Sequence, residues 1–364
     1  MRPVDHHDSE VNYVALTLCG VFTSLARMLA SAARMDRTTI TTPDSYTDRI
    51  RSALSNCLVE TAIGTGAKHR GKVRDRYELD DQLVLVTTDR QSAFDRVLAA
   101  IPFKGQVLNL TSAWWFEQTR HILPNHVLSI PDPNVTVATA CDVFPIEFVV
   151  RGYITGTTST SLWTVYDAGA RSYCGNVLPD GLRKNERLAA RIITPTTKEK
   201  DHDRPITPDE IVSEGWMTAE DWERCRDAAL ALFAFGQETA AQHGLILVDT
   251  KYEMGRDATG RILLIDEIHT PDSSRYWIAD SYDARVAAGL EPENVDKEFL
   301  RLWFKENCDP YADAELPPAP EDLVAELSRR YVFLYERITG RRFEFPDQGV
   351  PVADRIRRNL AGIL

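Results

Sequence analysis

The chain has 364 residues, of which 43% are hydrophobic, and a formal net charge of −12. This length predicts a sizeable buried core in two or more lobes, because single cores stop growing near about 250–300 residues. The acidic balance, without any dominant block of Lys and Arg, argues against nucleic-acid and anionic-membrane partners. Six scattered cysteines with no CxxC pair indicate reduced thiols in a cytoplasmic protein, and nothing in their spacing is typical of a zinc site.

Residues 1–45 are predicted to be a poorly structured N-terminal extension. Within them, residues 13–26 are uncharged and fairly apolar, but the run is shorter than the roughly 20 residues that a bilayer span needs. Acidic residues precede it, where a secretory signal carries positive charge. We interpret the extension as dispensable, with Met28 or Met35 as the working start, and expect no membrane segment.

The first half of the patterned chain mixes helical and strand-like periodicity. Apolar spacing of three and four residues indicates helices, and short apolar runs flanked by turn residues indicate strands. In chain order, the predicted elements are a helix over 45–60, strands over 71–79 and 83–87, a helix over 106–122 and a strand over 144–150.

The second half contains the clearest hairpin and most of the helices. Residues 175–210 are charged, rich in proline and predicted to be loops. Thr218 and Asp221 have the spacing of a capping box, and Gly244 lies where a helix-ending glycine belongs. The remaining predicted elements are strands over 245–254 and 261–268, joined by a 255–260 turn, and helices over 294–308, 320–338 and 351–363.

The first motif with chemical potential is Gly71-Lys72-Val73-Arg74-Asp75. Glycine allows close approach of the backbone to a phosphate, and Lys72 and Arg74, two residues apart on a strand, would share one face. The spacing is not that of a Walker loop. An equally ordinary interpretation is a solvated edge strand.

The second motif is a polar loop, residues 88–95, directly after an apolar strand. Such a loop can present Ser92 and Asp95 to a small polar ligand. The alternative is an ordinary helix-capping turn through either residue.

The third motif runs from Phe144 to Thr157. A buried strand would carry Glu147 and Arg151 on one face, and a loop with Gly156 and Thr157 would follow. Arginine, a hydroxyl and backbone amides together suit a phosphomonoester. The alternative is a Glu147–Arg151 ion pair at a sheet edge.

The fourth motif is the hairpin itself. Asp249, Lys251 and Glu253 alternate along one strand and would share a face, while the returning strand ends in Asp266-Glu267. Several carboxylates at the end of a buried sheet are costly unless a cation or ligand neutralises them. Carboxylates together with phosphate oxygens are typical ligands of Mg²⁺.

Together these segments resemble the phosphoribosylaminoimidazole-succinocarboxamide synthase family, of the single-function type. The resemblance covers about 46–345 and rests on five ordered segments, listed here as they stand in the chain: GKVRD, TDRQSAFD, FPIEFVVRGYITGT, LVDTKYEMG and DEIHTPDSSRYW. Thr157 stands where the family usually has Ser, which keeps the hydroxyl. Met254 stands where it usually has Phe, which keeps an apolar group.

The resemblance implies an ATP- and Mg²⁺-dependent ligase that joins carboxyaminoimidazole ribonucleotide to L-aspartate through an acyl phosphate in purine biosynthesis. It implies that Glu253 and Asp266 bind Mg²⁺ and that Lys251 lies against the substrate carboxylate. The implied ATP-binding residues are Gly71, Lys72, Arg74 and Glu147. The implied contacts of the ribonucleotide and of L-aspartate are Arg151, Thr157, Asp272, Arg275, Ser92, Asp95, Lys198 and Asp203.

The implied fold is α+β with two lobes. Residues 46–147 would form an N-terminal ATP-binding lobe with a kinase-like antiparallel sheet, and residues 148–364 a larger α/β lobe ending in helices. The resemblance implies a monomer or a homodimer. A small-molecule kinase and a non-catalytic nucleotide sensor are the rival functions, but the chain has no His-Arg-Asp and no Asp-Phe-Gly motif.

Overall fold

A computed structural model describes residues 44–94, 96–199, 203–295 and 297–363. Nearly all of the predicted extension, residues 1–43, therefore lies outside the described residues. The helices are α1 (Asp44–Ser52), α2 (Lys104–Gln118), α3 (Leu162–Asp167), α4 (Pro208–Ser213), α5 (Ala219–Gln242), α6 (Ala279–Ala287), α7 (Glu298–Asn307), α8 (Glu321–Thr339) and α9 (Val352–Leu360).

The strands fall into two larger sheets and two small hairpins. They are β1 (Ala67–Arg70), β2 (Arg74–Leu79), β3 (Gln82–Thr87), β4 (Arg90–Ala93), β5 (Arg96–Ala100), β6 (Val127–Asp132), β7 (Val135–Thr139), β8 (Asp142–Val143), β9 (Ile146–Tyr153), β10 (Ser172–Tyr173), β11 (Asn176–Val177), β12 (Arg187–Ile193), β13 (Thr196–Thr197), β14 (Leu245–Arg256), β15 (Ile262–Ile265) and β16 (Ser274–Ile278).

The first sheet has five antiparallel strands in the order β1-β2-β3-β7-β6. Alternating apolar residues such as Val84, Val86 and Val137 turn to one face and pack against Ile356 and Leu360 of α9. The opposite face of the central strands is also partly apolar, since Leu85 and Ala138 are buried there, so the middle of the sheet is covered on both sides.

The second sheet has seven strands and is built around β14, the longest strand. Its path is β12-β9-β14-β15, with β13 on β9 and with β8 and β16 on β14. Helix α5 packs along β14, where Gly236 allows the helix to approach Leu247 and His269 closely. Because β14 has partners along both edges, its polar side chains are held in a fixed register.

A helical core surrounds α8. Its apolar residues pack with those of α1, α2 and α7, for example Tyr331 with Ile50, Val107 and Phe304. The core therefore combines segments that are far apart in the sequence, because α1 begins at Asp44 and α8 ends at Thr339. None of the helices in the described ranges is long and apolar enough to span a membrane.

The expected α+β class, with antiparallel sheets and late helices, is confirmed. The Thr218 hydroxyl accepts a hydrogen bond from the Asp221 N–H at 3.1 Å, and Gly244 follows the helix with φ +68°, as predicted. The hairpin is also confirmed, although β15 ends at Ile265 because Asp266 has a left-handed backbone, φ +63°.

Several predicted bounds were wrong. The first helix ends at Ser52 rather than at residue 60, and the segment 175–210, predicted as loops, contains the strands β12 and β13. Strand β12 pairs with β9 through a wide irregularity between Arg187 and Ile192, so it lacks the regular alternation that sequence patterns detect. The second motif forms the β4–β5 hairpin and not a helix cap.

Candidate functional site

The candidate site lies along β14. The strands β9, β15 and β16, which pair with β14, bring further charged residues beside it. Asp249 pairs with Arg151 of β9 and with Arg275 of β16, while Lys251 pairs with Val149. Further along, Glu253 pairs with Ile265 of β15, so Asp266 follows the residue opposite Glu253. The predicted Lys251, Glu253 and Asp266 are therefore brought together.

Lys251 lies between two carboxylates. Its ammonium donates to Glu253 Oε1 at 2.6 Å and to Glu147 Oε1 at 3.0 Å. The second oxygen of Glu253 accepts from Lys198, at the end of β13. Glu147 and Arg151 thus bind different partners, Lys251 and Asp249, so the Glu147–Arg151 ion pair considered from the sequence is not formed.

Asp266 and Glu267 face Arg74 of the first sheet. The Arg74 guanidinium donates to Asp266 and lies 3.5 Å from Glu267 Oε2, while its Nε donates to the Thr87 hydroxyl at 3.2 Å. A single arginine therefore spans the first sheet and the acidic end of the hairpin. We expected Arg74 to lie over the ATP phosphates, and the structure gives its guanidinium these carboxylate partners.

The electrostatics of this cluster favour its charged forms. Burial alone would lower the pKa of Lys251, but Glu253 and Glu147 outweigh burial and hold that pKa well above its usual value. Burial raises the pKa of Asp266, yet Arg74 and Lys251 reverse the effect and lower it. Mutual attraction thus favours the charged forms of Lys251 and Asp266, whereas burial and the neighbouring Asp266 raise the pKa of Glu267.

The Gly71 segment is a tight turn between β1 and β2. The Gly71 N–H donates to the Arg74 carbonyl at 2.9 Å, and a Cβ on Gly71 would lie 2.5 Å from that carbonyl oxygen. Lys72 belongs to the turn and is exposed, so the predicted placement of Lys72 and Arg74 on one strand face is wrong.

The side chain of Arg90 holds the backbone of this turn by hydrogen bonds, and the Arg90 side chain is almost fully buried. It donates to the Gly71 carbonyl at 2.9 Å and to the Lys72 carbonyl at 3.3 Å, and it forms an ion pair with buried Asp75. The sequence did not single out Arg90, because a buried arginine beside a polar loop has no local signature.

A cavity of about 150 Å³ opens beside the other half of β14. Arg275 donates to Asp249 Oδ2 at 2.9 Å, and Arg151 lies 3.5 Å from the same oxygen. The lining residues are Asp249, Pro271, Asp272, Ser273, Ser274, Arg275, Lys297, Glu298 and Arg301. The Thr157 hydroxyl donates to Glu298 Oε1 at 2.9 Å, which places the predicted Gly156–Thr157 loop at this cavity.

The remaining predicted contacts are distributed unevenly. Ser92 is half-buried in β4, Asp203 is exposed, and Asp95 lies outside the described residues. Lys198 is brought to the hairpin carboxylates. Asp272 lies on the cavity wall, but Tyr331 and Lys104 engage its two oxygens.

Two cations at the cavity were missed from the sequence. Lys297 precedes α7 and Arg301 lies one helical turn later, with its guanidinium 5.2 Å from the Phe94 ring centroid, beside the second motif. The i, i+4 spacing of basic residues was the available signal, but surface helices show it routinely.

The donor set suits a hard divalent cation that keeps most of its own water. Within the described ranges, no three His, Cys, Asp or Glu side chains converge as a ready-made metal site. Glu253 of β14 and Asp266, which directly follows β15, nevertheless bring two carboxylates together, and a cation there would exchange places with their lysine and arginine partners. Mg²⁺ is typically held by one or two carboxylates together with phosphate oxygens and water, so these residues fit it.

Comparison with known proteins gives a consistent result. The SAICAR synthetase family model matches residues 67–318. A phosphoribosylaminoimidazole-succinocarboxamide synthase of Legionella pneumophila (strain Lens) is 64% identical over 304 residues, which are 84% of this chain and 97% of the relative.

Solved structures agree with that match. The SAICAR synthase of Saccharomyces cerevisiae complexed with SAICAR has a TM-score of 0.67 and 30% identity, over 79% of this chain and all of that one. A SAICAR synthetase in complex with ADP has a TM-score of 0.59 and 25% identity, over 77% of this chain and all of that one.

Proposed function

The chain belongs to the SAICAR synthetase family, and from this premise we propose how the β14 site performs the family's reaction. The enzyme is a carbon–nitrogen ligase that uses ATP and catalyses the aspartate ligation step of purine biosynthesis. The observation that carries the site proposal is the position of Lys251 between Glu147 and Glu253, next to Asp266.

The chemistry requires activation of a carboxylate, because oxide is a poor leaving group. A carboxylate oxygen of carboxyaminoimidazole ribonucleotide attacks the γ-phosphorus of ATP, the bond to the β-phosphate oxygen breaks, and ADP leaves. The amine nitrogen of L-aspartate then attacks the acyl carbon of the acyl phosphate, the C–O bond to phosphate breaks, and a proton is released from the nitrogen. The protein's task is to align the reactants and offset negative charge.

Lys251 is proposed to offset that charge at the acceptor carboxylate. Its ammonium is preorganised by Glu147 and Glu253, so it does not have to reorient when the phosphoryl group arrives. Mg²⁺ bound by Glu253 and Asp266 would neutralise phosphate charge in the same place.

The nucleotide triphosphate is proposed to lie over the Gly71 turn, where Lys72 is exposed and the backbone is anchored by Arg90. Arg74 stands between this turn and the metal ligands, and Glu147 borders the same space. The five-stranded sheet lies wholly within residues 46–147, which supports our proposal that this range is the ATP lobe and 148–364 the substrate lobe.

The ribonucleotide is proposed to occupy the cavity beside Asp249. Arg151, Arg275 and the Thr157 hydroxyl converge there and suit a phosphate and ribose hydroxyls. Asp249, held by two arginines, is placed to accept from a hydroxyl.

L-Aspartate is proposed to bind on the α7 side of the same cavity. Its two carboxylates call for two cations, and Lys297 and Arg301 supply them. Arg301 lies over Phe94, a residue of the second motif, which supports this placement. Lys198 donates to Glu253, and its contact with L-aspartate, like that of Asp203, stays a prediction.

We also propose a cytoplasmic location, in line with the free thiols of Cys57, Cys141, Cys174, Cys225 and Cys308.

The test is phosphate release measured with Mg²⁺–ATP, with the ribonucleotide and with L-aspartate, each omitted in turn. The ligase requires all of them for rapid turnover. ADP formation, measured in the same reactions, that needs no L-aspartate and is not matched by free phosphate would instead favour a kinase, and no turnover with the full set would favour a sensor. Replacing Mg²⁺ by EDTA should abolish turnover if the metal proposal is correct.

A further inference from the structure

A buried ion pair connects the aspartate side of the cavity to a helix outside it. The Lys104 ammonium, at the start of α2, lies 2.7 Å from Asp272 Oδ2. Lys104 has no exposed side-chain surface, and Asp272 is 5% exposed. The two opposite charges are therefore in direct contact inside the protein, where each one stabilises the charged form of the other.

The other oxygen of Asp272 is shared between a hydroxyl and a second cation. The Tyr331 hydroxyl donates to Oδ1 at 2.6 Å, and the Lys297 ammonium lies 3.7 Å from the same atom. The Lys297 ammonium is therefore attracted both by the Asp272 carboxylate and by an anion bound in the cavity. How strongly Asp272 attracts it depends on how far other groups already neutralise the Asp272 charge.

Lys104 neutralises Asp272 from a fixed position. The N–H of the next residue, Gly105, donates to Asp89 Oδ1 at 2.8 Å, and any Cβ on Gly105 would collide with the Thr87 carbonyl. The start of α2 thus packs closely against the end of β3. This packing restricts any shift of the helix that would move Lys104 away from Asp272.

The turn that carries Asp272 is equally constrained. The Ser274 N–H donates to the Thr270 carbonyl at 3.0 Å, and the Thr270 hydroxyl donates to Glu267 at 2.6 Å. The backbone on each side of the ion pair is therefore held by hydrogen bonds and close packing. The third member of the group, Lys297, has a long side chain with many rotamers that is about a quarter exposed, so its ammonium has the most freedom to change position.

We propose that Lys104 is a positioning residue for L-aspartate: it neutralises Asp272 so that the Lys297 ammonium stays directed toward the substrate carboxylate. This inference rests on the proposed aspartate role of Lys297. Without Lys104, the uncompensated Asp272 carboxylate would draw Lys297 out of the cavity. Lys104 itself touches no substrate.

The decisive experiment is a double-mutant cycle on the full-length enzyme with Lys104→Met, Lys297→Met and both together. The KM for L-aspartate should rise about tenfold in each single variant and no further in the double variant, because both changes remove the same contact. The KM for ATP should stay within about twofold. A purely structural role would lower the melting temperature without this selective and non-additive change.

Tyr331→Phe provides a second test should Lys104→Met fail to fold. It keeps the ring in the core and removes the hydroxyl that shares Oδ1 with Lys297, so the KM for L-aspartate should rise about threefold. Lys184→Met, which breaks the exposed pair with Glu291, is the matched control and should change neither KM.

These experiments distinguish the positioning role of Lys104 from the proposed binding of L-aspartate at Lys297. If Lys297→Met raises the KM for L-aspartate and folded Lys104→Met does not, the positioning role of Lys104 is overturned while the aspartate site stands. An unchanged KM in Tyr331→Phe would also overturn the role. If Lys297→Met leaves the KM for L-aspartate unchanged, both the aspartate placement and the inference built on it fall.

Discussion

The Lys251 ammonium lies 2.6 Å from a Glu253 oxygen, on the same strand and two residues away, and 3.0 Å from Glu147 on the neighbouring strand. Lys251→Met removes the charge but keeps the length of the side chain. We expect kcat to fall by a factor on the order of 10²–10³, as is usual when a preorganised electrostatic group is lost.

The measurement is steady-state turnover at saturating ATP, ribonucleotide and L-aspartate, with circular dichroism to check the fold. Lys184→Met, which breaks the exposed pair with Glu291, is the control for the loss of a lysine. A variant at Lys251 with turnover within a factor of two of the wild type would rule out the proposed role.

Asp266→Asn should abolish Mg²⁺-dependent turnover while leaving the fold intact. Loss of an outer-shell partner already costs 10–100-fold in metal affinity at typical sites, so loss of a direct ligand should weaken Mn²⁺ binding by at least about a hundredfold. Mn²⁺ binding followed by electron paramagnetic resonance checks this in the presence of ADP. The control is Asp142→Asn, an exposed aspartate on β8, and equal affinities in both variants would remove Asp266 from the metal site.

Gly71→Ala should weaken ATP binding selectively. The added Cβ would lie 2.5 Å from the Arg74 carbonyl oxygen, so the turn must open, which costs about 1–3 kcal/mol in crowded sites. We expect the KM for ATP to rise about tenfold with little change for L-aspartate. Gly362→Ala adds the same methyl group with nothing within 4 Å and is the control.

Asp89 should make the stability of the folded protein depend on pH. Burial raises its pKa to about 6, against the hydrogen bonds from the Gly105 and Leu58 N–H groups. Between about pH 4 and pH 6 the native protein then binds a proton at Asp89 that the unfolded chain has released. The contribution of Asp89 to the free energy of unfolding therefore falls as pH rises through this window, by about 3 kcal/mol, and is constant above it.

The check is the free energy of unfolding by urea at several pH values, for the wild type and for Asp89→Asn. The difference between the two isolates Asp89 from groups such as His126, whose pKa burial lowers to about 4 and whose effect has the opposite sign. A difference that does not vary between pH 4 and pH 6 would contradict this account.

The sequence predicted those parts of the fold in which neighbouring residues carry the signal. The β14–β15 hairpin was predicted because apolar residues alternate with Asp249, Lys251 and Glu253 and because a turn rich in Gly and Asp separates the strands. The α5 helix was predicted because its capping residues are local.

The parts that were missed depend on contacts distant in the chain. The pairing of Arg74 with Asp266 spans 192 residues, and that of Tyr331 with Asp272 spans 59. No local pattern at Lys104 indicates a buried charge, because its partner is supplied by a turn that the fold brings to it. Strand β12 was missed for a different reason, since its irregular pairing removes the alternation.

The continuity of β14 has a consequence for how such an enzyme can vary. The side chains that we propose to face the ribonucleotide, the reacting carboxylate and the metal lie on one strand, at Asp249, Lys251 and Glu253. Their spacing, about 13 Å from first to last, is therefore set by the pitch of the backbone, at about 3.3 Å per residue. Insertion or deletion of one residue between them would turn one group to the opposite side of the sheet, so the length of this stretch is as constrained as its chemistry.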